Sequence, residues 1–509
     1  MPAPDRRTAK PNSGLTNSVA NVLGLLIPLA VFLVVTPAIV RGLGVAHFGV
    51  LSLFVTVLTL LTSFDLGLAA GGVRALGAGL HEGGLVRVRT IARELWTAYL
   101  MLGLVAGLAL LVFREQFLEI MGLEPALVAG PGSYALPVAV FFGFCSLARS
   151  IVARAMEKFV GLTAIQVAFG TATWIGVAVG VGEGWGLAWA LMWWTGMVAC
   201  SFIVLSWWAG RLAGGLDWLP CFRFVEVRKS FSYNLHAFSG QVTSGATYHA
   251  DKFLIFHFLG AAAVGYYGLA SSIASKLLSL VVALAGFVFP RTVRIFAADD
   301  VVGVRQTYIR STRYVLLLAW PMLVVAVLLG DAFLRLWVGD VFANMAAELL
   351  MLLLVSYFLA SMSVVASQIF NGIGNSRVGA FFSALGATTN VIACIVLIPR
   401  WGLSGAALAS LLSMLQVFGY THLLHRRLEL PDFPFAGLWL RLLVVGFIQA
   451  GVLWFGQRWL AGWWSLAALA CLGWAIFYLG WYVLRFADEG DRDVMHRLWL
   501  AATQRTRFD

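Results

Sequence analysis

Residues 43–49 read LGVAHFG and residues 259–265 read LGAAAVG. The two strings share a Leu-Gly start and a closing Gly at an offset of 216 residues. At the same offset, WGLAWA at 185–190 and WGLSGA at 401–406 share their first three residues. Either pair alone would mean little in a chain with 53 glycines, but a common offset in separate halves marks a duplicated unit.

Composition says where such a unit lives. Of 509 residues, 61% are hydrophobic and only 12% charged, whereas a soluble domain carries about 25%. The chain is therefore expected to be an all-α integral membrane protein. With about 20 apolar residues per crossing, about fourteen transmembrane helices are expected, near 17–40, 47–70, 92–113, 133–153, 160–181, 186–208, 230–258, 263–289, 314–334, 346–370, 378–399, 402–424, 437–457 and 463–485, with the segments between them as loops. A cytoplasmic N-terminus (1–16) would precede an N-lobe of helices 1–6 (17–210), a cytoplasmic linker (211–229) and a C-lobe of helices 7–12 (230–425). Helices 13 and 14 (437–485) and a cytoplasmic tail (486–509) would follow. Because six is even, the two pseudo-symmetric six-helix lobes are parallel repeats, with a central cavity where they meet. The Trp-rich text WLAGWWSLAALACLGW at 459–474 suits a lipid-facing pair, a dimer surface or a groove for an acyl chain.

Charge agrees with this topology. With these spans, 28 of the 35 Lys and Arg fall on one side, which makes both termini cytoplasmic. The net charge of +11 is then a property of loops, and no basic domain exists to bind nucleic acid. Five scattered cysteines lack metal-ligand spacing, so neither a disulfide frame nor a metal site is expected.

Within the seventh span, Asn234, Gln241, Gly245, Tyr248 and Lys252 fall on one stripe at 100° per residue, with His249 at its border. Asp251 projects to the side, so Asp251 and Lys252 do not cancel each other and each needs a partner elsewhere. Lys252 either lines a wet cavity or snorkels to the interface. In the first copy the stripe positions hold Ser18, Leu25, Phe32 and Thr36, so the fold does not require polarity there. Lys276, near the middle of span 8, replaces Leu60 of the first copy and is expected either to line the cavity or to form a buried ion pair.

Asp65, two turns from the end of span 2 on this reading, is either a coupling-ion site or a tie to a nearby arginine, with Arg74 following at the surface. Arg149 and Arg154 either anchor span 4 or meet an anionic head group. Gln166, Gln368, Asn371, Asn390 and Gln416 are read as helix-helix hydrogen bonders. An enzyme is not expected, because the longest outer loop (114–132) carries Glu115, Glu119 and Glu124 but no His or Asp. The chain has no Walker A, HExxH or GxSxG sequence, and no cofactor is expected beyond a coupling H+ or Na+.

TPAIVRGLGVAHFGVLSLFVTVLTLLTSFDLGL at 36–68, ADKFLIFHFLGAAAVGYYGLASSI at 250–273, FPRTVRIFAADD at 289–300 and NGIGNSRVGAFFSALGATTNVIACIVLIPRWGLSGAALASLLS at 371–413 resemble the bacterial O-antigen and polysaccharide flippases. These belong to the multidrug/oligosaccharidyl-lipid/polysaccharide exporter superfamily. The resemblance implies two lobes around a cavity that opens alternately to each side of a bacterial inner membrane. The implied cargo is an undecaprenyl-pyrophosphate-linked oligosaccharide, with membrane lipids as surroundings and periplasmic polymerases as candidate partners. It also places Asp65, Arg74 and Asp251 on family positions. A drug or cation exporter and a lipid II flippase for peptidoglycan are the rivals. Lys252 and Lys276 would repel a cation, and helix 1 lacks the charges expected of the lipid II branch.

Overall fold

The computed structural model describes residues 13–116, 130–215, 219–225, 228, 250–431, 433–484 and 486; for 13–23, 25 and 81 only the helical backbone is described. The described residues are nearly all helical, as a bilayer requires of a chain that must satisfy its backbone internally. The helices are α1 (Ser13–Leu43), α2 (Val45–Ser63), α3 (Leu68–Val112), α4 (Ala135–Ala155), α5 (Phe159–Gly182) and α6 (Leu187–Leu212). There follow α7 (250–259), α8 (Ala261–Ala285), α9 (Val288–Ala297), α10 (Val301–Trp337), α11 (Asp340–Gly372), α12 (Ser376–Ser413) and α13 (Gln416–Arg427). The last two are α14 (Ala436–Gly456) and α15 (Trp463–Val483).

Twelve helical stretches among the described residues are long and apolar enough to cross a membrane. One of them, Ser376–Arg427, contains the expected spans 378–399 and 402–424. Asn390 and Ser410 touch at 3.5 Å although 20 residues of straight helix would separate them by about 30 Å, so the chain reverses between them, at Gly402. The expected span 230–258 lies mostly outside the described residues. The segment 71–91, expected as a loop, is helical, and α3 doubles back at Gly84. Its charged residues lie on helical arms because a charged stretch at the membrane surface can stay helical.

The repeated string has the same backbone geometry in both copies. Gly44 breaks α1 from α2 at φ 80°, and Gly260 breaks α7 from α8 at φ 83°. Each donates to the carbonyl four residues before it, Val40 at 3.0 Å and Phe256 at 2.9 Å. At ψ 161°, Gly44 sits in a region that only glycine enters freely. The closing glycines then meet. A Cβ on Gly49 would stand 1.9 Å from the Ala261 carbonyl oxygen, and one on Gly265 would stand 2.5 Å from the Val45 carbonyl oxygen. Residue 49 thus faces the counterpart of 45, and 45 faces the counterpart of 49, as a local two-fold contact requires.

The chain forms two compact units, one of residues 1–269 with 383–413 and one of 270–382 with 414–509. In the first, α3 packs chiefly on α4, α4 on α6 and α1 on α5, around buried Leu76, Tyr99, Val140 and Ile151. In the second, α14 and α15 dock on α10. Pro321 in α10 has no N–H for the Leu317 carbonyl, and the Tyr478 hydroxyl of α15 donates to that carbonyl at 3.4 Å. Buried Gln449 of α14 donates to the Pro321 carbonyl at 3.2 Å.

Because the Gly49 and Gly265 contacts are to backbone, no neighbouring rotamer can yield. Gly49→Ala and Gly265→Ala should each destabilise the purified protein by about 1–3 kcal/mol. Gly170→Ala in α5, where an added Cβ would meet nothing within 4 Å beyond its own stretch of helix, should raise stability by about 0.5–1 kcal/mol. Thermal unfolding in detergent checks the contrast, and equal effects at the three positions would contradict the crossing.

Candidate functional site

Asp65 is not in a helix, which corrects the sequence expectation. Span 2 ends at Ser63, and Leu66 at φ 54° and Gly67 at φ 73° turn the chain into α3. The Asp65 carboxylate accepts from the Gly67 amide at 3.0 Å and the Ala69 amide at 2.8 Å, and so caps α3. Asp side chains compete with the helix for nearby amides, which is why this apolar run breaks where it does. The Tyr99 hydroxyl, from the returning arm of α3, donates to the same carboxylate at 2.6 Å.

One turn before Tyr99, Trp96 stacks on Phe202 with centroids 5.9 Å apart and planes 5° from parallel. The Arg149 guanidinium also lies over Trp96, 4.2 Å from its ring centroid. Arg149 is only 2% exposed, so it belongs to the interior of the first unit. Arg154 stands half-buried in the last turn of α4, and Arg74 is exposed on α3.

A second buried acid repeats the arrangement with different partners. Asp251 of α7 accepts from the Tyr267 hydroxyl of α8 at 2.6 Å and from the Lys252 amide at 2.7 Å. Tyr267 also contacts Ser410 at 2.9 Å, and Asn390 donates to Ser410 at 3.5 Å. Tyr267 gives its proton to Asp251, and the Ser410 hydroxyl also donates to the Ala406 carbonyl of its own helix at 3.3 Å. Asn390, Ser410 and Tyr267 thus form a run of polar contacts that ends at the carboxylate.

Lys252 turns the other way. Its ammonium lies 3.4 Å from the Thr56 hydroxyl of α2, whose own proton goes to the Ser52 carbonyl at 2.7 Å. Asp251 and Lys252 therefore each find a partner on another helix, as their 100° separation requires. Lys276 is half-buried past the midpoint of α8, in the second unit. Asn234, Gln241, Tyr248 and His249 lie outside the described residues.

Sequence reasoning anticipated Asn390 as a hydrogen bonder and missed Tyr99, Tyr267, Ser410 and Thr56. The usable signal was a tyrosine deep inside an apolar span, where its hydroxyl has to find an acceptor.

The family model described as "Polysaccharide biosynthesis protein" matches residues 38–347, more than half of the chain. The chain belongs to this family. Among curated relatives, the chain is 21% identical to the "Putative O-antigen transporter" of Shigella flexneri, over 78% of this chain and 93% of the relative. Its fold resembles that of the lipid II flippase MurJ in an inward closed conformation, with TM-score 0.71 and 13% identity over 93% of this chain and 99% of that one. It also resembles an inward-facing multidrug resistance MATE transporter, with TM-score 0.67 and 14% identity over 80% and 98%. The chain is thus a multi-span membrane protein whose fold is like that of these two transporters.

Tyr267→Phe should leave the buried Asp251 short of a donor and lower stability by about 1–3 kcal/mol. Combining it with Asp251→Asn should cost less than the sum of the two single changes, because the second change removes a group already deprived of its partner. A double-mutant cycle on thermal unfolding measures this, and strictly additive losses would contradict the pairing.

Proposed function

We propose that the protein is a flippase that carries an undecaprenyl-pyrophosphate-linked oligosaccharide from the cytoplasmic to the periplasmic leaflet by alternating access. It would serve O-antigen, capsule or exopolysaccharide synthesis, in a bacterial inner membrane, with both termini cytoplasmic. Family membership supports a transporter of polysaccharide intermediates over an enzyme. Fold likeness does not separate this reading from its rivals, since a lipid II flippase and a drug exporter share the architecture.

The observation that carries the substrate class is the setting of Lys252. A lysine at membrane depth is retained where it has an anion to meet, and the acid beside it is engaged by Tyr267 and a backbone amide. The Thr56 oxygen is a neutral acceptor at a long 3.4 Å, which a pyrophosphate oxygen would outcompete as a charge-assisted partner. A cationic drug would be repelled there. Lys276 is the second candidate cation, and the stripe of Asn234, Gln241, Tyr248 and His249 would add donors for phosphate and sugar hydroxyls. Asp251, buried at the end of this run of polar contacts, is the candidate carboxylate for H+ coupling, and the membrane potential supplies about 2.3 kcal/mol per charge per 100 mV.

Lys252→Gln and Lys276→Gln, expressed at normal level in a deletion strain, should each reduce surface polysaccharide and leave lipid-linked oligosaccharide accumulated on the cytoplasmic side. Lys→Arg should retain more export than Lys→Gln. Full export by both Gln variants would overturn the cationic site. The deletion itself discriminates the classes: altered drug sensitivity with normal polysaccharide favours an exporter, and arrested peptidoglycan synthesis favours a lipid II flippase.

A further inference from the structure

The second unit contains a cavity of about 680 Å³ walled by α10, α11, α13 and the start of α14. That volume lies within the roughly 300–1,000 Å³ of small-ligand sites. Its lining is graded along its length. On α10, Tyr308, Thr312 and Leu316 succeed one another by single turns along one face. On α13, which runs the opposite way, the same face carries Phe418, then Thr421 and His422, then His425 and Arg426. The Tyr308 hydroxyl and His425 Nε2, 2.8 Å apart, fix the two polar ends side by side. Leu316 and Phe418 therefore share the other end, where Met362 of α11 joins them. Phe435 and Trp439 of the segment entering α14 close the side.

The polar end is cationic and reachable. His425, Arg426 and Arg427 form the last turn of α13, and Arg426 is exposed. The apolar walls belong to helices long enough to cross a bilayer, and Phe418 is half-exposed among them. A molecule matching this gradient has an apolar chain and an anionic head at the membrane surface, so charge complementarity selects an anionic phospholipid over a neutral or zwitterionic one.

We propose that this cavity binds one anionic glycerophospholipid of the adjoining leaflet, its phosphate on Arg426 and His422 and an acyl chain along Leu316, Met362 and Phe418. The cavity is too small for the long polyprenyl chain and oligosaccharide of the proposed cargo. The site is separate from Lys252, and the proposal does not depend on the transported substrate. It gives α14 a task, since the segment that leads into that helix forms one wall.

Full-length protein, purified and delipidated, is titrated with phosphatidylglycerol or phosphatidylcholine and followed by native mass spectrometry and thermal unfolding. The wild type should retain a single phosphatidylglycerol in preference to phosphatidylcholine, with a raised unfolding temperature. The double variant Arg426→Gln with His422→Gln should bind about tenfold more weakly or worse. Met362→Trp, which fills the apolar end, should lose both the adduct and the temperature shift. Should Met362→Trp fail to fold, the double variant, altered at the accessible end, still decides. Undiminished binding by the double variant, equal retention of phosphatidylcholine, or displacement of the bound lipid by inorganic phosphate or by a polyprenyl pyrophosphate would each overturn the proposal.

Discussion

Two glycines let two helices of the first unit meet backbone to backbone. Where α2 crosses the start of α8, Gly49 lies against the Ala261 carbonyl and Gly265 against the Val45 carbonyl, too near for any side chain at either point. In a bilayer, helices gain little from burying apolar surface against each other, since lipid is as apolar as leucine. Close backbone packing through small residues is the remaining source of affinity, and its dispersion energy falls off steeply with a gap of half an ångström. A crossing that is reciprocal between two copies of one heptapeptide places both helices by the same contact used twice. The breaks at Gly44 and Gly260 come immediately before it, so the helices that meet are those whose direction has just been reset.

Around that crossing, buried polar groups hold further helices by specific pairing. Asp65 with Tyr99 and Asp251 with Tyr267 use the same chemistry at 2.6 Å, although the two pairs are not related by the repeat offset. A carboxylate buried without donors would be costly, so each acid fixes its tyrosine-bearing partner in one register. The second unit uses a milder version. Pro321 frees the carbonyl of Leu317, Tyr478 satisfies it, and Gln449 bonds the carbonyl of Pro321 itself. The last two helices are therefore docked by hydrogen bonds at a proline in α10, in addition to apolar contact.

The sequence made the repeat legible because its glycines answer a backbone need that no other residue meets. The charges in the seventh span were legible for a similar reason: membrane depth makes Asp251 and Lys252 conspicuous. Asp65 was misplaced because Phe64 and Leu66 flank it, and an unbroken apolar run from 47 to 70 reads as one helix. The Asp-x-Gly pattern was a capping signal hidden by hydropathy. Charged residues between 71 and 91 suggested a loop, although helical arms there keep their charges on accessible faces. Tyr267 with Ser410, and Lys252 with Thr56, join residues 143 and 196 positions apart, and no local period encodes such pairs. The graded cavity was out of reach for the same reason, since its walls come from four helices.

The neighbouring charges at 251 and 252 show how one segment can serve two tasks. Separated by about 100° on the helix, they address different neighbours. Asp251 faces α8 and, through Tyr267, the Ser410 and Asn390 pair of α12. Lys252 faces α2, against a hydroxyl whose proton is already given to its own helix. The acid is thus deeply satisfied and the base only lightly so. On the proposed function this asymmetry is what a carrier requires: an anion arriving at Lys252 displaces one long contact to a neutral oxygen, while the carboxylate next to it keeps its donors. On that reading the two charges share one turn of α7, so a proton taken up by Asp251 would change the charge one residue away from Lys252.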